Sequence, residues 1–268
     1  MAAASKSAAT SASARTPVGA RSRAFDRAAL SERLLAGLAA LGLRASLAEP
    51  LLAFLALLVK WNAVYNLTAV RDPGQMLTQH LLDSLSIVTP LAERLPQRDG
   101  APTGRVVDVG SGAGLPGIVL ALAWPQVEVL LVEPVGKKTA FLRHCQAELA
   151  LTNLRVAASR VEALSDAQRE PVPDLIVCRA FASLADFVVS IDRLAGPASV
   201  VAAMKGAWPG DEIAALPCPW AVAAALPLQV PGLDAARHLL LLSRAPRSEQ
   251  VDPAGRRASG TGPTSYQK

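Results

Sequence analysis

The sequence predicts an α/β fold: a mostly parallel sheet closed by an antiparallel strand and preceded by a helical extension. Three observations predict it. Apolar residues follow a helical period over roughly residues 27–95. The period changes to short apolar runs rich in β-branched residues at Arg105. A glycine-rich turn directly follows the first of those runs.

In the helical region, Leu30, Leu34, Leu35, Leu38 and Leu41 fit one face, and Gly42 can end the helix. A second helix is expected from Ser46 through Leu51, Leu55, Leu58 and Trp61 to Tyr65. A third is expected from Gly74 to Leu95, broken at Pro90. Arg105–Val109 then reads as a strand, followed by Val127–Glu133, Leu154–Ala157, Asp174–Cys178 and Ala198–Met204. Helices are expected between them, notably Lys137–Leu149 and Leu184–Leu194. Strands alternating with helices, the strands apolar on both faces, predict a parallel sheet covered on both sides. Leu226–Val230 and His238–Ser243, separated by Pro231-Gly232, read as a closing antiparallel pair. The expected organisation is a disordered tail over 1–26, a helical extension over 27–100, a ligand-binding domain over 101–245 and a second disordered tail over 246–268.

Composition removes several classes. The chain has 268 residues, 51% hydrophobic and 18% charged, too apolar for a wholly disordered protein. Three cysteines exclude a disulfide scaffold, and their spacing suits no metal site, so no metal is expected. A reducing, cytoplasmic location is the natural reading. The longest apolar run, Leu51–Val59, is well short of a membrane span, and no membrane partner is expected. The formal charge of +5 belongs to the tails, because residues 28–243 carry a net −2. Any nucleic-acid surface on the core must therefore be a local patch. Residues 1–24 hold no acid and read as an unstructured extension rather than an organelle transit peptide.

The chemistry concentrates in Asp108-Val109-Gly110-Ser111-Gly112-Ala113-Gly114-Leu115-Pro116-Gly117. Glycines between a strand and a helix let the backbone turn sharply and approach a ligand. The frame Gly112, Gly114, Gly117 also satisfies a dinucleotide fingerprint, so the loop alone leaves NAD open. Asp108 favours S-adenosylmethionine over NAD, and Glu133 supports an adenosine without choosing between the two. Asp108, just before the glycines, would crowd a pyrophosphate but suits a cationic methionine end. Glu133, ending the next strand, can accept both ribose hydroxyls of an adenosine. Val161 and Glu162 follow the third strand, where an adenine edge would lie. Arg179 leaves the fourth strand at the carboxyl edge, where doubly wound sheets bind ligands.

The sequence resembles the bacterial 16S ribosomal RNA guanine-N7 methyltransferases, also called glucose-inhibited division protein B, over roughly residues 28–245. The resemblance is carried by Lys60-Trp61-Asn62 with Tyr65-Asn66-Leu67-Thr68, Arg71-Asp72-Pro73, His80 with Asp83-Ser84, and the glycine loop. It continues through Gly136-Lys137-Lys138, Phe141-Leu142-Arg143, Ser159-Arg160-Val161-Glu162, Arg179-Ala180-Phe181-Ala182-Ser183 and Lys205-Gly206. The loop is generic to donor-binding enzymes, whereas the Trp61 and Arg179 segments are much more specific. The resemblance implies a class I S-adenosylmethionine-dependent methyltransferase fold and methylation of N7 of guanine 527 in 16S ribosomal RNA. The substrate would be that RNA or the small ribosomal subunit, and the enzyme a monomer. The family's donor contacts fall on Gly110, Leu115, Val161, Glu162 and Arg179. The acid after the second strand is often Asp in the family and is Glu133 here, one methylene longer.

Guanine N7 already presents an in-plane lone pair, so no general base and no catalytic side chain is expected beyond positioning. Lys60, Arg71, His80, Lys138 and Lys205 are cast as RNA contacts, as are Lys137 and Arg143, because phosphate contacts give position and affinity. Trp61 and Tyr65, four residues apart, suit a helix packing face better than base stacking. His80 has Asp83 three residues on, which also suits a structural hydrogen bond. Cys145, Cys178 and Cys218 form no activated pair, which argues against thiolate-dependent methylation of a pyrimidine. A methyltransferase of another base or of a small molecule, or an NAD-dependent oxidoreductase, are the competing readings. Calorimetric titration with S-adenosylmethionine and with NAD separates the cofactors, and heat of binding is expected from the first alone.

Overall fold

The computed structural model describes residues 25–244. Of the two expected tails only Phe25 and Asp26 fall within it; the rest lie outside the described residues. Asp26 caps the first helix, its carboxylate accepting the Ala29 N–H at 3.1 Å.

Helix α1 (Arg27–Ala40) buries Leu30, Leu34 and Leu38. Leu35, expected on the same face, is instead 41% exposed, because it stands about 100° round the helix from Leu34. Gly42, at φ +67°, reverses the chain, and the Leu43 N–H reaches back to the Leu38 carbonyl. After a 3-10 turn (Ala45–Leu47), α2 (Ala48–Tyr65) runs as expected. By length and composition alone Ala45–Tyr65 could cross a membrane, with a mean hydropathy of 1.5. Its apolar character is accounted for by packing: Leu51, Leu52, Phe54, Leu55 and Leu58 are buried, and α2 touches α1 and two helices of the sheet layer.

The third helix differs from expectation. It is α3 (Pro73–Met76), a π-helical turn (Leu77–Leu82), α4 (Asp83–Leu85) and α5 (Val88–Ala92). The break falls at Ser86-Ile87, where the Ser86 hydroxyl donates to the Asp83 carbonyl at 2.7 Å and competes with the helix ladder. Pro90 is the third residue of α5, where its missing N–H has no helical partner to lose. A small hairpin of β1 (Gln97–Arg98) and β2 (Ala101–Pro102) follows, turning through Asp99-Gly100 at positive φ.

The sheet layer comprises β3 (Gly104–Val109), α6 (Gly117–Ala123), β4 (Val127–Val132), α7 (Gly136–Glu148), β5 (Leu154–Ala157), a 3-10 turn (Val161–Ala163), α8 (Asp166–Arg169), β6 (Leu175–Arg179), α9 (Leu184–Ser190), β7 (Val200–Lys205), α10 (Gly210–Ala214), β8 (Trp220–Pro227) and β9 (His238–Arg244). The strand order is β5-β4-β3-β6-β7-β9-β8. The first five strands are parallel, and β9 inserts antiparallel between β7 and β8. This is the Rossmann-like α/β arrangement with a reversed closing strand that the sequence predicts. The closing pair is longer than expected: β8 begins at Trp220 and ends at Pro227, so Leu228–Val230 belong to the connecting loop. Its alanines, Ala221, Ala223, Ala224 and Ala225, have low strand propensity and hid the element.

The helical region is not a freestanding appendage. Its leucines share one apolar core with α6, α7 and one sheet face, including Val106, Val129, Leu131, Leu175, Val177 and Leu239. The opposite face, with Val107, Val109, Leu130, Ile176 and Leu240, packs against Phe187, Val188 and Ile191 of and just after α9. Phe54 on α2 is fully buried in the first core, its ring 6.4 Å from that of Phe141 on α7. Phe54→Ala is expected to cost about 3–5 kcal/mol, the range for truncating a buried aromatic, measured by chemical denaturation.

Candidate active site

The parallel strands β5, β4, β3, β6 and β7 end along one edge, and the expected site residues lie along it in spatial order. Val161 and Glu162 follow β5, Glu133 follows β4, Asp108 and the glycine loop end β3, Arg179 ends β6 and Lys205 ends β7.

The glycine loop is built on backbone conformations that favour glycine: Gly110, Gly112 and Gly114 have φ of +71°, +57° and +81°. The N–H groups of Gly110 and Ser111 bond the Val132 carbonyl, tying the loop to the neighbouring strand. Beneath it Asp108 is fully buried. Its Oδ2 accepts the Gly117 N–H at 2.9 Å, whereas Oδ1 has no partner among the described residues. The close approach requires glycine at 117, because a Cβ there would lie 2.6 Å from Asp108 Oδ2. Burial pushes the Asp108 carboxyl up to about 7. The Gly117 hydrogen bond, the nearby Ser111 hydroxyl, which itself donates to the Asp108 backbone carbonyl, and the charge of Arg179 oppose the shift, and Glu133 adds to it.

Glu133 is also buried and turns into the loop. Its Oε2 accepts the Gly112 N–H and its Oε1 the Val135 N–H, each at 2.9 Å. Each oxygen keeps a further lone pair. Leu115 and Val161 are buried, and Glu162 is exposed.

Where β6 and β7 end, a cavity of about 430 Å³ is lined by Thr68, His80, Asp83, Arg179, Lys205 and Arg237, with Met204 and Gly206; of the expected donor contacts only Arg179 lines it, and the glycine loop, Glu133, Val161 and Glu162 do not. Arg179 donates from one terminal nitrogen to the Gln79 carbonyl at 3.2 Å and faces Asp83 Oδ2 at 3.4 Å. Burial lowers its pKa, and Asp83 counteracts that. Ala180 holds φ +56°, an uncommon conformation for a residue with a Cβ, and it too lines the cavity. His80 is held by Thr68, whose hydroxyl meets Nε2 at 2.8 Å; Nδ1 is buried and unpartnered among the described residues. Burial, helped by the charge of Arg179, lowers the His80 pKa to about 4, so the ring is neutral at pH 7. Asp83, weighed as its hydrogen-bond partner, pairs instead with Arg179 and Arg237.

Of the residues cast as RNA contacts, His80 and Lys205 line this cavity and Lys60, Arg71 and Lys138 do not. Lys205 is ion-paired with Glu212 at 2.7 Å, which also accepts the Leu184 N–H. Arg71 donates to Asn66 at 2.7 Å, and Lys60, Lys137 and Arg143 are exposed. Trp61 packs against Tyr65, Phe141 and His144 with ring centroids 5.2–5.5 Å apart, which makes it a packing side chain between α2 and α7. Burial raises the Cys145 and Cys178 thiols far above the thiolate range, whereas Cys218 is exposed.

Sequence reasoning missed Arg237 and gave Asp83 no role toward Arg179. A signal for Arg237 existed. A closing antiparallel strand starts at the edge where its parallel neighbour ends, so His238 pairs with Lys205 and the residues before it reach the site.

A family model described as rRNA small subunit methyltransferase G matches residues 47–240. Ribosomal RNA small subunit methyltransferase G of Cupriavidus pinatubonensis is 49% identical over 235 residues, spanning 84% of this chain and 99% of the relative. Its counterpart in Ralstonia nicotianae is 53% identical over 195 residues, 73% of this chain and 86% of the relative. Among solved structures, TrmN from Thermus thermophilus matches with a TM-score of 0.47 and 19% identity, over 63% of this chain and 53% of that one. On the sequence matches, the chain belongs to the rRNA small subunit methyltransferase G family.

Proposed function

We propose that the protein transfers the methyl group of S-adenosylmethionine to N7 of guanine 527 in the 16S RNA of the small ribosomal subunit. The observation that carries this reading is the unpartnered Asp108 Oδ1 beneath a loop of glycines at positive φ, on the same sheet edge as a cavity bordered by Arg179. A buried carboxylate oxygen without a donor is costly and calls for a polar partner. The cationic methionine end of the donor, directly or through water, supplies one. Family membership supports the methyl donor over NAD and the ribosomal RNA over a small molecule.

S-adenosylmethionine, when bound, supplies an electrophilic methyl on a sulfonium. The chain's own residues bind and align. Gly110 and Leu115 offer a close backbone surface, the free lone pairs of Glu133 suit ribose hydroxyls, and Val161 and Glu162 suit the adenine edge. Arg179 borders the donor site and the cavity in which the guanine would sit. N7 needs no deprotonation, and the neutral His80 ring adds no positive charge where the purine becomes cationic. The remaining contribution is alignment, which can lower a barrier by about 7–11 kcal/mol in favourable cases. The exposed bases Lys60, Arg71, Lys137 and Arg143, with the partly buried Lys138, are assigned to phosphates of the RNA.

Arg179→Ala is expected to weaken donor binding or methyl transfer severely while the fold survives, measured by titration and circular dichroism; wild-type affinity and turnover would refute the assignment. Asp108 must be ionised to favour a cation, and its carboxyl titrates near 7 in the free protein. Donor affinity is therefore full well above pH 7 and falls as the pH drops through and below it, and Asp108→Asn flattens that profile. Mapping N7-methylguanine on ribosomal RNA from cells with and without the protein tests the substrate. Loss of one modification, at 527, is expected, and an unchanged map would overturn the target.

A further inference from the structure

Asp83 lies where three parts of the chain meet: the π-helical turn and α4, the end of β6, and the loop before β9. Its side chain is 6% exposed. Oδ1 accepts from Arg237 Nε at 2.9 Å and Oδ2 faces a terminal nitrogen of Arg179 at 3.4 Å. A second acceptor holds the same Arg179 nitrogen. In a regular α-helix the Gln79 carbonyl would receive the Asp83 N–H. Here the Asp83 N–H bonds the Thr78 and His80 carbonyls instead, which releases the Gln79 carbonyl to accept from Arg179 at 3.2 Å. The one-residue widening of the helix thus frees a backbone carbonyl beside the Asp83 carboxylate, and the two together grip Arg179. Such π turns occur often at functional sites.

The grip uses one nitrogen of Arg179. Its Nε and second terminal nitrogen make no hydrogen bond among the described residues, and the side chain borders the cavity. We propose that Asp83 is a positioning residue: with the released Gln79 carbonyl it holds Arg179 by one end and leaves the other end for the ligand, while Arg237 fixes the carboxylate in place. Asp83 also offsets two guanidinium charges that would otherwise face each other across the cavity. This rests on the reading of Arg179 as a donor contact.

The test is titration of S-adenosylhomocysteine, which binds without turnover, alongside thermal melting. Asp83→Asn is expected to weaken binding about tenfold or more, the scale for losing an aimed charged contact. Asp83→Glu should recover part of that loss, and Arg237→Gln, which leaves the Asp83–Arg179 pair intact, should weaken binding less than Asp83→Asn does. In an Arg179→Ala background Asp83→Asn should cost nothing further, because its effect runs through Arg179. A merely structural role would carry the same loss into both backgrounds. Should Asp83→Asn fail to fold, the charge-balanced pair Asp83→Asn with Arg237→Gln carries the same comparison. Unchanged affinity in Asp83→Asn, or a loss that persists without Arg179, overturns the positioning role alone. Unchanged affinity in Arg179→Ala overturns the donor-contact reading and the positioning role with it.

Discussion

A carboxylate sealed under a backbone turn governs the architecture of the site. Asp108 has no exposed surface. The protein supplies one N–H, from Gly117, and leaves the other oxygen bare. Several sequence requirements follow from that geometry. Residue 117 must lack a Cβ for its N–H to come so close. The intervening loop must double back within a few residues, which forces positive φ at three glycines. Glu133 must turn inward to hold the middle of that loop through Gly112, which couples the ends of β3 and β4.

The segment that leaves α2, Asn62 to Arg71, gains a physical reading too. Asn62 is nearly fully buried, accepts the Thr68 N–H at 2.8 Å and donates to the Val70 carbonyl at 2.9 Å. It clamps the loop that leaves α2, and the clamped Thr68 then holds His80. Arg71 ties the same loop through Asn66. The helical region therefore both covers one sheet face and delivers one wall of the cavity. The carboxyl edge of the sheet delivers the other. Asp83 and Arg179 join the two walls, so the helical layer is part of the site rather than a separate attachment.

The sheet was legible because its information is local. Runs such as Val106-Val107 and Ile176-Val177 are apolar on both faces, and all five parallel strands, the edge strand Leu154–Ala157 with its exposed Arg155 included, appear within about two residues of their expected limits. The glycine loop and the carboxylates at strand ends were legible for the same reason. The misses have different physical origins. The Asp99-Gly100 hairpin carries a turn signal in strands of only two residues. The π turn depends on which carbonyl the Asp83 N–H selects, a choice no residue type announces. Arg237 lies 58 residues from Arg179 in the chain and reaches Asp83 only because β9 runs backwards. Lys205 looked free until Glu212, seven residues on, folded back onto it.

The insertion of β9 between β7 and β8 has a consequence for biosynthesis. The last described strand is an interior strand, paired on both sides. Until it leaves the exit tunnel, β7 presents a bare edge, β8 has no neighbour, and Leu239 and Leu241 are missing from the core shared with the helices. Domains generally fold as units as synthesis proceeds. This sheet cannot close before β9 is made, so the edges of β7 and β8 stay open until that strand is in place.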